Sequence, residues 1–324
     1  MKKKVLTGIK PTADQLHLGN YLGAIKPMID YQNSWEYEIY FFVATMHAFT
    51  QLHDWEAIRR NLKNLVKLYI ACGVDPEKTV IYNQTDIAAH AQLHWVLSCI
   101  TTMGFMERMH AYKDSLAKGT ANEVSVGTFC YPILQAADIV LYDVDLVPIG
   151  KDQKQHVEFS RDIAQKFNRL FGETFVLPAP LVDENVATIL WLDGRKMSKS
   201  YNNFIWLLDD EKTVLKKIKI ISTDTKSVEE VKNPDEDTIY AIVKHFISPE
   251  EDNALRQKYL AGGFSYKEAK EYAFEKIWAF LTPIQQKYAT ISDEQVEKVL
   301  KEWAEKMWAI AQKKITEVYQ KIGF

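Results

Sequence analysis

Four short apolar runs, Val5–Ile9, Ile39–Ala44, Thr79–Asn83 and Leu146–Ile149, stand out along the chain and read as strands. Longer helical patterns lie near Tyr21–Asn33, Trp55–Cys72, Ala91–Met103 and Gln153–Phe167. Strand–helix alternation of this kind predicts an α/β fold with a Rossmann-like parallel sheet, because parallel neighbours need a long crossover that a helix supplies. Near residue 202 the texture changes. Asp209–Ile221 is lysine-rich and helical, and no strand-like run follows it. Ser265-Tyr266-Lys267-Glu268 and Ser292-Asp293-Glu294-Gln295 each place serine three residues before Glu or Gln, which marks a capped helix start. The second opens a helix whose Val296, Leu300, Trp303, Met307, Ala311, Ile315 and Val318 fall on one stripe, expected to be a packing face. The expected organisation is therefore an α/β domain over residues 1–202 and an all-helical C-terminal domain over 203–324.

Bulk properties narrow the class. A length of 324 residues suits two domains, and 47% hydrophobic with 26% charged residues is ordinary for a globular enzyme with a sizeable core. A net charge of −3 supplies no global field for nucleic acid, so any such contact needs a local basic patch. Cys72, Cys99 and Cys130 are odd in number and far apart, which argues against a disulfide framework and a cysteine-held metal and fits a reducing cytoplasm. Lys2-Lys3-Lys4 imitates the basic start of an export signal, but Thr7, Gly8, Lys10 and Pro11 break the apolar stretch that such a signal needs. No run approaches the roughly 20 apolar residues that span a bilayer, so no membrane partner is expected.

Two motifs carry chemistry. In Lys196-Met197-Ser198-Lys199-Ser200, two lysines three apart follow Asp193-Gly194-Arg195, which reads as a turn. Core packing has no use for two ammonium groups, whereas a loop with two mobile point charges can neutralise a polyphosphate as charge moves onto it. The bland alternative is a solvated basic turn. Near the N-terminus, the strand ending at Ile9 is followed by a loop with Pro11, Thr12 and Asp14, and then by Leu16-His17-Leu18-Gly19-Asn20. A strand, a polar loop and a glycine-containing helix start suit a nucleotide, with backbone N–H groups turned to its phosphates. His17 and Asn20, three apart, can reach one phosphate together, although His17 alone would equally cap or pack.

The pair "LHLGN" and "KMSKS", about 180 residues apart, resembles the signature motifs of class I aminoacyl-tRNA synthetases, with Asn20 where the commoner form has a second histidine. The runs Tyr131–Tyr142 and Val147–Glu158 are similar to the bacterial tryptophanyl branch, and the resemblance extends from Thr7 to the C-terminus. It implies activation of L-tryptophan by ATP, carried with Mg2+, followed by transfer to tRNA(Trp) by a homodimer. On the same resemblance, residues 203–324 bind the tRNA anticodon. Residues 1–202 bind the nucleotide and catalyse the reaction. Tyrosyl-tRNA synthetases share the fold and both motifs, and a retired paralogue that only binds amino acid or RNA is the other alternative, against which the presence of Lys196, Lys199, Gly19 and Asp152 speaks.

The resemblance also assigns roles. Lys196 and Lys199 stabilise charge on pyrophosphate, and His17 and Asn20 act beside them. ATP is held by Lys10, Pro11, Thr12, Gly19 and Asn20, by Gly150, Lys151 and Asp152, by Ile189, and by the loop from Lys196 through Met197, Ser198 and Lys199 to Ser200. Leu6, His47, Tyr131, Gln135, Asp138 and Gln153 form the tryptophan site, Gln153 taking the amino group. Lys10, Lys151 and Gln135 depart from the glutamine, glutamate and methionine of the better-known branch. Asp152 suits a ribose hydroxyl and serves equally as a helix N-cap. Tyr131, Gln135 and Asp138 are spaced to share one face of a helix that Pro132 is expected to open. A buried Asp accepts from an indole N–H, which phenylalanine lacks, although backbone donors would satisfy it too. His90 and His94, four apart, imitate a zinc pair; without a third ligand or an adjacent glutamate, a surface or packing role is the better reading. Lys216, Lys217 and Lys219 form either a solvated face or a contact for tRNA phosphates.

Overall fold

The computed structural model of the chain describes residues 2–109, 112–113, 124–150, 154–182, 190–191, 195–196 and 204–324. Five parallel strands form one sheet in the order β3-β2-β1-β4-β5, with β1 at Lys3–Ile9, β2 at Tyr37–Val43, β3 at Thr79–Asn83, β4 at Leu146–Ile149 and β5 at Ala179–Val182. The four apolar runs supply β1 to β4. The fifth strand, with Pro180 in its middle, had no such signal; it lies at the sheet edge, where a missing N–H is tolerated. Every residue of β3 is buried, as are Ile39–Val43 of β2, because a parallel sheet is covered on both faces. Gly8 is needed where it stands, since a Cβ there would fall within the Phe42 ring.

From β1 the chain steps outward to β2 and β3, then returns to lay β4 on the other side of β1. That reversal is a topological switch point, and ligands of open α/β sheets bind outside the carboxyl ends of the strands there. Lys10 leaves β1 and Gly150 leaves β4 at this edge.

The helices are α1 (Leu18–Asn20), α2 (Lys26–Ser34), α3 (Thr45–Phe49), α4 (Trp55–Cys72), α5 (Ala89–Ile100), α6 (Met103–Met106), α7 (Val126–Val140), α8 (Lys154–Phe171), α9 (Glu211–Lys219), α10 (Thr238–Val243), α11 (Pro249–Ala261), α12 (Tyr266–Thr290) and α13 (Asp293–Ile322). A five-residue π-helical turn, Tyr21–Ile25, joins α1 to α2 in place of the continuous helix expected over Tyr21–Asn33. The capping boxes at Ser265 and Ser292 both form, and a third at Ser248 opens α11 with Pro249 in its first turn.

The packing divides into two compact units that depart from a single boundary at 202. The first comprises Met1–Asp14, Pro27–Glu184 and Ser292–Phe324, and the second Gln15–Lys26 and Asn185–Ile291. The last helix belongs to the first unit because its apolar stripe is covered there. Met307, Ala311, Ile315 and Val318 share one core with Tyr82 of β3 and Leu93 of α5. Trp303 donates its indole N–H to the Pro76 carbonyl at 3.0 Å, and Lys63 of α4 meets Glu297 at 2.6 Å. The second unit holds α9 to α12 around Ile239, Leu255, Ile277 and Leu281. Within it Lys232, only 1% exposed, donates to the carbonyls of Ser227, Val228 and Glu230.

Candidate functional site

In the first unit, polar side chains gather at the carboxyl edge of the sheet around Asp138. Its carboxylate is wholly buried on α7, where leaving an ion unpaired would be very costly. Three side chains from the loops after β2 and β3 answer it. His47 Nε2, on α3, lies 2.8 Å from Oδ2; Gln84 donates its amide to Oδ1 at 2.7 Å; His90 Nδ1, at the start of α5, meets Oδ1 at 2.7 Å. Burial alone would raise this carboxyl, but the hydrogen bonds and charges of His47 and His90 outweigh it and hold the group below its ordinary range. Asp138 is therefore an ionised acceptor, and the ring nitrogens facing it are donors.

The surrounding loops are stitched together. Gln84 accepts the Met46 N–H at 3.0 Å, and the Thr45 hydroxyl donates to Asn83 at 2.7 Å. The Tyr142 hydroxyl meets the other nitrogen of His90 at 3.0 Å. Tyr131 stands edge-on to His47 at 6.0 Å, with Lys10 Nζ 5.8 Å from its ring centre. Lys10 is exposed, desolvation of its ammonium lowers its pKa, and no acidic partner pairs with it among the described residues. A cation desolvated in this way is suited to an anion. Leu6 lies in the apolar core of β1, Gln135 is half-buried on α7, and the Pro11 carbonyl accepts from Asn61 at 3.1 Å.

One expectation needs correction here. Pro132 does not open its helix: α7 begins at Val126, with Ser125 capping the Thr128 N–H at 3.1 Å, so Pro132 is an interior residue. His90 takes the packing role of the two expected for it, since the ring has no exposed area and both nitrogens are engaged. His94 is half-buried, and burial lowers its pKa. Among the described residues no cluster of three or more His, Cys, Asp or Glu could hold a metal ion. Sequence reasoning passed over Gln84 as a site residue; its place directly after β3, at the ligand-binding edge, was the available signal.

The second unit organises the first motif. His17 is 7% exposed and caps α1: its Nδ1 accepts the Asn20 N–H at 3.2 Å, while Asn20 Oδ1 accepts the His17 N–H at 3.2 Å. This reciprocal box fixes both side chains and leaves Nε2 as the protonated nitrogen of a neutral ring. The segment pairs with the chain just beyond the lysine motif. The Leu18 N–H reaches the Ile205 carbonyl at 2.9 Å, the Leu207 N–H reaches Leu16 at 2.8 Å, and the His17 ring packs 5.2 Å from Phe204. Residues far apart in sequence are thus brought together, Gly19 among them. Lys196 ends a short strand, Arg195–Lys196, antiparallel to Leu190–Trp191. Asp193, Gly194, Met197, Ser198, Lys199 and Ser200 lie outside the described residues, as do Lys151, Asp152, Gln153 and Ile189. The lysine cluster on α9 divides: Lys216 and Lys219 are exposed, while Lys217 turns inward to Asp209 at 2.7 Å and lies over the Phe204 ring.

Comparison with known proteins agrees with this arrangement. Curated tryptophan–tRNA ligases from Campylobacter jejuni (strain RM1221) and Fusobacterium nucleatum are each 41% identical to this chain, over 322 and 326 residues, covering 99% of it and 99% and 98% of their own lengths. A crystal structure of the Campylobacter jejuni tryptophanyl-tRNA synthetase complexed with ADP and tryptophan superposes with a TM-score of 0.88 at 41% identity, covering 99% of this chain and 100% of that one. The Mycoplasma pneumoniae tryptophanyl-tRNA synthetase follows at 0.86 and 29%, covering 100% and 98%. The family model described as tRNA synthetases class I (W and Y) matches residues 1–282, and the chain belongs to that family.

Proposed function

We propose that the chain is a tryptophan–tRNA ligase. A carboxylate oxygen of L-tryptophan attacks the α-phosphorus of ATP, the bond to the β-phosphate oxygen breaks, and pyrophosphate leaves. The resulting tryptophanyl-adenylate then passes its acyl group to the 3′ end of tRNA(Trp). No protein nucleophile is required, so catalysis rests on positioning and charge stabilisation. The observation that carries this reading is the ionised, wholly buried Asp138 at the carboxyl edge of the sheet, an acceptor on a helix that is otherwise mostly apolar.

In this reading Asp138 accepts the indole N–H, and Tyr131 and His47 line the approach to it. Gln135 offers a second polar group, and Gln153 takes the amino group. Lys10 meets the α-phosphate. His17, Gly19 and Asn20 serve the triphosphate with Pro11 and Thr12. Gly150, Lys151 and Asp152 serve the ribose side, with Ile189 against the base. Lys196 and Lys199 neutralise the departing pyrophosphate, and Mg2+ travels with the phosphates of ATP as part of the substrate. Helices beyond residue 203 grip the tRNA. A cytoplasmic homodimer fits the three free cysteines and the lack, among the described residues, of any helix long and apolar enough to cross a membrane.

Amino-acid-dependent ATP–pyrophosphate exchange, run with tryptophan and with tyrosine, tests the reading. Exchange with tyrosine alone would transfer the chain to the other specificity of its family, and exchange with neither would make it a binder. For tRNA, Lys216→Ala with Lys219→Ala should weaken binding and flatten the log–log salt dependence by about 1–2 units, as two phosphate contacts vanish. Pyrophosphate exchange should survive. An unchanged slope in filter binding places the tRNA face elsewhere.

A further inference from the structure

Asp138 offers two oxygens, but its surroundings make them unequal. A carboxylate oxygen has two lone pairs in the plane of the group. Both of those on Oδ1 are taken, by the Gln84 amide and by His90 Nδ1, each at 2.7 Å. On Oδ2, among the described residues, only His47 is bound, at 2.8 Å. The two groups on Oδ1 are themselves held fast. Gln84 is fixed at its other end by the Met46 N–H at 3.0 Å. His90 is fixed by the Tyr142 hydroxyl and by stacking on Phe42 and Tyr82, at 6.5 and 5.9 Å between ring centres. Gln84 and His90 have no exposed surface, whereas His47 keeps 7%. Among the described residues the uncommitted lone pair of the carboxylate therefore lies on Oδ2, the side of His47.

We propose that Gln84 and His90 are specificity-determining positioning residues, which saturate Oδ1 of Asp138 so that Oδ2 alone is presented to the ring N–H of the substrate. The inference rests on the reading that Asp138 recognises indole. The terminal torsion of a free aspartate is broad and nearly two-fold, so an unanchored carboxylate would blur the direction of the bond it accepts. Two donors from the connection that follows β3 remove that freedom before substrate arrives, and preorganisation of this kind becomes discrimination when a competitor lacks the donor. Neither residue touches the substrate; both act through the orientation and electron demand of Oδ1.

The test compares tryptophan with 3-(3-benzothienyl)alanine, in which sulfur replaces the ring N–H and the shape is nearly kept. The quantity read is the ratio of kcat/KM values for the two amino acids in pyrophosphate exchange. Gln84→Met keeps length and loses the donor, and His90→Leu does the same for the ring. Each should lower the ratio about tenfold, through KM for tryptophan, with the analogue little changed. His90→Gln, which restores an N–H, should recover most of it. If His90→Leu does not fold, Gln84→Met and His90→Gln carry the same comparison. A purely structural role would depress both amino acids alike and leave the ratio intact, which overturns the inference. Asp138→Ala separates the two claims. A collapsed ratio there with intact ratios in the Gln84 and His90 variants sinks the positioning role alone, and an unchanged ratio in Asp138→Ala sinks the indole reading beneath it.

Discussion

Asp138 and His17 are both buried polar side chains with reciprocal partners, yet the partners differ in kind. Asp138 is met by three side chains drawn from the two connections after β2 and β3, 48 to 91 residues away in sequence. His17 is met by the backbone of a residue three positions on. In the first region a charge is neutralised by tertiary structure, so on the proposed reading recognition and folding depend on the same bonds. In the second the cap's own bonds are local, although the segment around it pairs with Ile205 and Leu207, and the charges that the proposed function gives to catalysis, those of Lys196 and Lys199, lie on a separate segment. On the roles proposed above, substrate selection is coupled to stability in this protein and transition-state stabilisation is not, and the following variants test that contrast.

The sharpest way to break the comparison is Asp138→Ala. Removing the carboxylate strands three buried donors, and breaking a buried charged network costs about 3–5 kcal/mol. Urea midpoints should fall accordingly, together with selectivity for tryptophan over phenylalanine. The acid limb supplies a second reading. Because the folded carboxyl titrates below its ordinary value, its contribution is complete above the usual carboxylate range and is lost as pH falls through the depressed folded value. Asp138→Asn should remove that part of the acid dependence. Full stability in either variant near neutral pH would mean that the network carries no weight in folding.

Next in size is Lys199→Ala. One preorganised charge at a developing anion is worth roughly 2.7–4 kcal/mol, or about 10²–10³ in rate. Adenylate formation should slow by that factor, while tryptophan affinity and the urea midpoint stay within about 0.5 kcal/mol of the parent. A variant that lost stability in step with rate would erase the contrast between the regions.

The smallest effect belongs to the cap. His17→Ala should cost about 1 kcal/mol of stability, and His17→Asn, which restores an acceptor at the N-cap, should recover it. If His17 also serves the triphosphate, KM for ATP rises in both variants. Recovery of KM along with stability in His17→Asn would reduce the imidazole to a cap.

Much of the fold is legible in the chain, for reasons that also mark the limits. Strands β1 to β4 announce themselves because a strand covered on both faces must be continuously apolar. β5 does not, since four residues including Pro180 carry no such run. The stripe on α13 shows that the helix is buried on one side but not against what, and only tertiary structure reveals that it returns to the first unit. Tyr131, His47 and Asp138 were named through family motifs, and the structure brings them together. Gln84 and His90 were not named as Asp138's partners because no local spacing marks a bond spanning 54 or 48 residues. The cap at His17 is local, but it uses imidazole and carboxamide where the usual rule looks for Ser or Thr with Glu.

The return of α13 also bears on how the protein is made. The strand-rich unit draws on both sides of the chain, with Trp303 bonded to a carbonyl 227 residues earlier. On the ribosome, where addition runs at about 5–20 residues per second, Tyr82 and Leu93 wait through the whole of the second unit before their cover arrives. The apolar face they share is open during that interval, and it is there that chaperones or aggregation would compete with folding.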